Sequence, residues 1–226
     1  MRTALVTGAS GGVGREIAEQ LIDAGWVVYA HYRSESPATD KTRAAVSQAS
    51  WFRLNFDSPE PDLSAVPDIH SLDALIHCAG YCQLNRIEDA SSQEWQDSFN
   101  VNLHGPVALT NHLLPALRAA QGTMVYLNSG AGFRVKPEWG SYAAAKFAAR
   151  AWCDGLREEE PGIRVSSIHP GRIDTQMQRA IVTYEGGSYD PHQFLTAETV
   201  ARSVVQVITT PMDAQPTELV LRPRPH

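Results

Sequence analysis

Cysteine is scarce: Cys78, Cys82 and Cys153 are the three thiols in 226 residues. An odd number cannot pair completely, and no His and Cys spacing matches a zinc site, so neither a disulfide framework nor a bound metal is expected. Positive charge is short as well. The 19 Lys and Arg against 25 Asp and Glu leave a net charge of −6, which argues against a nucleic acid partner because phosphate binding needs a basic surface. Apolar runs are far shorter than the roughly 20 residues that span a bilayer, so no membrane partner is expected. The first strand pattern begins at Thr3, which leaves no room for a leader, and a cytoplasmic location is expected. No proline-rich linker, repeat or low-complexity run divides the sequence; residues 1–226 read as a single domain around one core.

What is present begins with Thr3-Ala4-Leu5-Val6-Thr7, a short buried strand by its pattern. It runs into Gly8-Ala9-Ser10-Gly11-Gly12-Val13-Gly14 and then into a helical pattern with Ile17, Ala18, Leu21 and Ile22 on one face. Strand, glycine turn and helix in that order are the context in which glycines admit a pyrophosphate. The backbone approaches closely, and the helix N-terminus offers free N–H groups. Further strands are expected from Trp26 to Tyr32, Trp51 to Leu54, Ala74 to His77, Thr123 to Leu127, Arg164 to His169 and Glu218 to Arg222. Helices are expected from Gln93 to Leu117, Ser141 to Glu159 and Ala197 to Ile208. Such alternation implies a parallel α/β sheet covered on both faces, with ligands at the carboxyl ends of the strands. Gly8, Gly80, Ser129 and Pro170 each follow a strand, so they converge on one edge.

In Tyr142-Ala143-Ala144-Ala145-Lys146 a phenol and an ammonium stand one helical turn apart on a shared face. A tyrosine titrates near pH 10, and a cation beside it favours the phenolate. Asn102 falls inside a helical pattern, where asparagine is a mediocre former, so a specific reason for its presence is expected. After the second strand no Asp or Glu occurs from Tyr29 to Ser34, and Arg33 is there instead. An acid at this point would hold a ribose 2′-hydroxyl and an arginine accommodates a 2′-phosphate, so NADP(H) is the expected preference, with NAD(H) possible.

The glycines, spaced Thr7-Gly8-x-x-x-Gly12-x-Gly14, together with Tyr142 and Lys146 resemble the short-chain dehydrogenase/reductase family, and the resemblance covers nearly the whole chain. Asp73 to Gly80 resembles the family's fourth strand and its Asn-Asn-Ala-Gly turn, written here His77-Cys78-Ala79-Gly80. Asn102 matches the helix-four asparagine, Ser129 the active-site serine thirteen residues before Tyr142, and Pro170-Gly171-Arg172-Ile173-Asp174-Thr175 the Pro-Gly-x-x-x-Thr loop. The resemblance implies a three-layer, doubly wound Rossmann fold with a mainly parallel seven-stranded sheet. It implies an NADP(H)-preferring oxidoreductase that moves a hydride between a nicotinamide and a ketone or secondary alcohol. Tyr142 is then the general acid and base, and Ser129 a donor to the substrate oxygen. Lys146 lowers the phenol pKa and holds the ribose, and Asn102 supports a water in a proton relay. Cofactor contacts are expected from Gly8, Ser10, Gly12, Val13 and Gly14, from Arg33, Ser34, Asn55 and Phe56, and from Ala79 and Gly80. Tyr142, Lys146, Pro170, Gly171, Ile173 and Thr175 complete that set.

Some positions depart from the family pattern. Gly11 stands where many NADP-dependent relatives have a basic residue, and Asn55 where an adenine-contacting Asp is usual. The segment from Ser34 to Ser50 is short for a full crossover, which implies an open adenine side. The alternative function is a non-catalytic dinucleotide-binding sensor or regulatory module of the same fold. A small-molecule carbonyl or alcohol is the expected partner, in a pocket drawing on Gly130 to Arg134, Trp139, Tyr81, Cys82 and His169. A mobile lid is expected near 176–194, around Gly186-Gly187-Ser188. The Tyr142 helix also carries Ala148, Ala149, Ala151 and Trp152, more apolar surface than one buried stripe needs, and a homodimer or homotetramer is expected.

Overall fold

The computed structural model describes residues 1–224; Pro225 and His226 lie outside the described residues. Seven strands, β1 (Thr3–Val6), β2 (Val27–Tyr32), β3 (Ser50–Arg53), β4 (Ala74–His77), β5 (Thr123–Leu127), β6 (Arg164–Pro170) and β7 (Glu218–Leu221), form one sheet. Their order is β3-β2-β1-β4-β5-β6-β7. Every pairing is parallel. Strand order reverses between β1 and β4, and that switch point fixes where a ligand crevice opens.

Both sheet faces are buried, and the strands show it residue by residue. Ala4 and Val6, Ala74 and Ile76, and Val125 join one core with Ile17, Leu21, Val200, Val204 and Val207. Those helical residues come from α1 (Gly12–Asp23) and α7 (Ala197–Ile208). The alternating partners Leu5, Leu75, Met124 and Tyr126 join the opposite core with Leu109, Leu113, Leu117, Ala149 and Cys153, which come from α4 (Gly105–Ala120) and α5 (Gly140–Glu159). A two-residue period between two apolar layers is what a covered parallel sheet demands.

Two expectations about elements are corrected. The helix expected from Gln93 to Leu117 is α3 (Ser92–Phe99), a π-helical turn at Asn100–His104, and then α4. Ser91 and Glu94 close a capping box at its start. The segment from Ser34 to Ser50 holds a helix after all, α2 (Pro37–Ala45), capped by Ser36 with Pro37 in its first turn. Residues 176–194 are largely regular: α6 (Gln176–Tyr184) is capped by Thr175 and buries Gln178, Ile181 and Val182.

Candidate active site

At the switch point the glycine turn has no room for a side chain at two of its positions. Gly8 has φ +67°, and a Cβ on it would lie 2.9 Å from the Ala79 backbone. At Gly14 a Cβ would lie 2.3 Å from the Gly8 carbonyl oxygen. The first strand is thereby pressed onto the turn after β4, and the Thr7 hydroxyl accepts from the N–H groups of Cys78 (2.9 Å) and Ala79 (3.0 Å). Buried His31 locks the turn from the other side. Its Nδ1 accepts from the Gly8 N–H at 3.0 Å, so its Nε2–H donates to the Leu54 carbonyl at 2.8 Å. Burial pulls its pKa down to about 4, which keeps the ring neutral. The N-terminus of α1 has no side-chain cap, whereas Ser36, Ser91, Thr175 and Thr196 cap α2, α3, α6 and α7. Its first N–H groups therefore remain available to an anion.

A cavity of about 510 Å³ opens over this turn, lined by Gly8, Ser10, Gly12, Val13 and Gly14. Arg33, Ser34, Phe56, Ala79 and Gly80 continue its wall, and Tyr142, Lys146, Pro170, Ile173 and Thr175 close the far end. Two of the expected cofactor contacts are not brought in. Asn55 points outward and donates to Asp57 at 2.6 Å, because alternation along the chain turns Leu54 and Phe56 inward instead. Gly171 belongs to a second cavity of about 440 Å³, which also holds Ser129. The two cavities share Asn128, Tyr142, Pro170, Ile173, Thr175 and Met177, so they meet at the Tyr142 side chain.

Around that seam, α5 places Tyr142 and Lys146 on its buried face. Burial pushes the Tyr142 phenol above its usual pKa, with Ser129 acting in the opposite sense. Lys146 is pulled down to about 8 by the same desolvation. Its ammonium donates to the Tyr126 hydroxyl and to the Leu127 carbonyl, each at 3.0 Å, and stands 5.7 Å from the Tyr142 ring centroid. Ser129 caps a short turn by accepting from the Ala131 N–H. Beside it, the Asn128 side chain accepts from the Ser129 N–H (2.8 Å) and donates to the Lys146 carbonyl (3.2 Å), tying the serine to α5.

Asn102 lines neither cavity. It is buried in the π-helical turn, where its amide donates to the Tyr81 and Ser98 carbonyls at 2.8 Å. Its backbone carbonyl accepts from the Tyr126 hydroxyl at 2.5 Å. The structure thus links Lys146 to the Asn102 carbonyl through a protein phenol, a residue that the sequence reading did not single out. His77 pairs with the Thr110 hydroxyl at 2.8 Å, holding β4 to α4 rather than strand to strand. His31, Asn128 and Tyr126 were all missed, and their signal was a polar-headed residue within or directly after an otherwise apolar strand.

A parallel sheet with a glycine cradle at its switch point, joined at a buried phenol to a second cavity, defines a dinucleotide-dependent oxidoreductase fold. The comparisons identify which one. The family model for short chain dehydrogenase matches residues 2–186. Dehydrogenase/reductase SDR family member 11 of Mus musculus is 31% identical over 98% of this chain and 94% of the mouse protein. Among solved structures, a short chain dehydrogenase from Escherichia coli CFT073 complexed with NADPH has a TM-score of 0.87 and 27% identity, covering 99% of this chain and 97% of its own. An alcohol dehydrogenase from the archaeon Thermococcus sibiricus, complexed with 5-hydroxy-NADP, has a TM-score of 0.84 and 26% identity, covering 100% and 99%. The chain belongs to the short-chain dehydrogenase/reductase family and is an NAD(P)-dependent dehydrogenase/reductase.

Proposed function

We propose that this enzyme prefers NADP(H) and interconverts a ketone and a secondary alcohol, with Tyr142 as the proton donor and acceptor. The observation that carries the reading is the seam: Tyr142 is common to the wall of the glycine-lined cavity and the wall of the cavity holding Ser129. The uncapped α1 N-terminus and Gly8, Ser10, Gly12, Val13 and Gly14 would hold the pyrophosphate, and Arg33 with Ser34 the 2′-phosphate. Phe56, Ala79 and Gly80 would flank the adenosine half; Lys146, Pro170, Ile173 and Thr175 would hold the nicotinamide half. When bound, the cofactor supplies or accepts the hydride.

The chain's own groups supply position and protons. The Tyr142 hydroxyl, its pKa raised further by burial, is protonated at neutral pH and ready to donate to a carbonyl oxygen. Ser129 donates a hydrogen bond to the same oxygen. The Lys146 ammonium, anchored by Tyr126 and Leu127, steadies the phenolate left behind. The NADP preference is supported by the loop after β2. Glu35, its one carboxylate, is engaged by the Tyr32 hydroxyl and by Arg43, while exposed Arg33 has no ionic partner among the described residues.

Further parts of the reading follow the same site. Residues 1–226 would act as one domain, with the α6 segment near 176–194 closing over substrate. Ala144, Phe147, Ala148 and Ala151 form a partly exposed apolar stripe at helical spacing on α5, Phe147 being 40% exposed, which supports a homodimer or homotetramer. Three free cysteines suit a reducing, cytoplasmic setting. The test is a panel of ketones with NADPH and NADH, read by loss of nicotinamide absorbance. Ketone turnover faster with NADPH is expected; a non-catalytic sensor would leave both cofactors unoxidised.

A further inference from the structure

The second cavity is basic although the molecule is acidic. Its wall contains Arg134, Lys136, Arg172 and Arg222 and no Asp or Glu, in a chain of net charge −6. Arg172 is neutralised by Glu185 from outside the cavity. The other three have no ion-pair partner among the described residues, and clefts lined by one sign of charge concentrate ions of the opposite sign.

Arg222 is exposed, as Arg134 and Lys136 are, and it is the one of the three whose guanidinium is held in place. One guanidinium nitrogen, Nη1, donates to the carbonyls of His169 (2.8 Å) and Leu221 (2.9 Å), which fixes the fork against β6. The other, Nη2, has no partner among the described residues and is the atom nearest to where a Gly130 Cβ would lie, at 3.5 Å. Gly130 follows Ser129 directly, and having no side chain it leaves that nitrogen uncovered. Trp139, Met177 and Ile181 supply apolar wall in the same cavity. A cavity with an apolar wall and a fixed guanidinium beside the serine suits an organic body with a carboxylate, which Arg binds with directional, charge-assisted bonds.

We propose that the substrate is a carboxylate-bearing carbonyl compound or alcohol, and that Arg222 receives the carboxylate at the cavity mouth, with Arg134 and Lys136 adding attraction. The inference rests on the reading of Ser129 and Tyr142 as the pair facing the reacting oxygen. It has its own test, independent of turnover. Benzoate and its neutral analogue benzamide are titrated into the NADPH-loaded protein. Benzoate should bind about 10-fold or more tightly than benzamide, a preference that Arg222→Gln collapses and Arg222→Lys restores in part. Equal binding of the two probes, or a preference untouched by Arg222→Gln, overturns the proposal. If Arg222→Gln does not fold, Arg134→Gln and ionic strength take its place. The preference should shrink between about 0.05 and 0.5 M salt, and a salt-independent preference overturns the proposal.

A parallel turnover panel pairs 4-oxopentanoate and benzoylformate with their methyl esters. Faster turnover of the acids supports the proposal. Esters turned over at least as fast overturn it while leaving the oxidoreductase reading intact. A benzoate preference without oxidation of NADPH by any carbonyl compound would do the reverse, keeping the anion site and removing the proposed reaction.

Discussion

Replacing Arg33 with alanine tests the cofactor reading where its magnitude can be worked from the structure. Arg33 and Lys146 are the Lys and Arg side chains on the wall of the glycine-lined cavity. Lys146 is committed to Tyr126 and Leu127, which leaves Arg33 for an anion at the opposite end. A hydrogen bond to a charged group is worth about 1.5–3 kcal/mol, whereas a fully exposed ion pair is worth about 0–1 kcal/mol. Arg33 is exposed before any ligand covers it, so the expected loss is intermediate, about 1–2 kcal/mol, or about 5- to 30-fold in affinity. NADPH and NADH are titrated into both proteins by nicotinamide fluorescence at about 0.05 and 0.5 M salt. NADPH binding should weaken by that factor at low salt and by less at high salt, and NADH binding by less than about twofold, since it lacks the phosphate. A parent enzyme that binds NADH at least as tightly, or an equal loss for both cofactors, refutes the reasoning.

Tyr126→Phe removes the acceptor between the Lys146 ammonium and the Asn102 carbonyl. The charged lysine loses about 1.5–3 kcal/mol of support, so its pKa should fall by about one to two units from about 8, moving the alkaline limb of the pH profile of kcat to lower pH; superimposable profiles would refute the link. Burial lowers His31 to about 4 and His77 to about 3, below the ordinary 6.5 of an unfolded histidine. The folded state then binds fewer protons than the unfolded chain below about pH 6.5, so stability should fall by about 2 kcal/mol per histidine from pH 7 to 5. Urea midpoints that match at the two pH values would contradict it. Phe147→Glu on the apolar stripe of α5 should give a 24.7 kDa monomer by sedimentation, where the parent sediments as a dimer or tetramer; a parent that is already monomeric rules the interface out.

Strand and helix positions were legible where periodicity is local. The expected α7 span from Ala197 to Ile208 matches the structure, and β4 and β5 match end to end. What escaped was set by tertiary contacts. A π turn at Asn100–His104 leaves the sequence pattern helical throughout, yet it frees the Asn102 carbonyl for Tyr126. Helix α2 is short and weakly apolar; its cap and the Thr42 bond to the Ser10 carbonyl hold it, and neither is a periodic signal. In the candidate site, Tyr142, Lys146 and the glycines stood out by close spacing, and Ser129 through the resemblance to the family's active-site serine. Tyr126, His31, Asn128 and Arg222 act through partners about 18 to 53 residues away, which spacing along the sequence cannot reveal.

The central claim is that Tyr142 moves the proton at the seam between the two cavities. It is tested most directly by Tyr142→Phe, assayed with NADPH on whichever carbonyl compound the parent reduces fastest, with cofactor affinity measured alongside. Positioned proton transfer contributes about 10² to 10⁴ in rate, so kcat should fall by that factor while the folded structure and NADPH binding persist. A kcat within about threefold of the parent, with NADPH still bound, would contradict the assignment, because a lost general acid costs at least about 10².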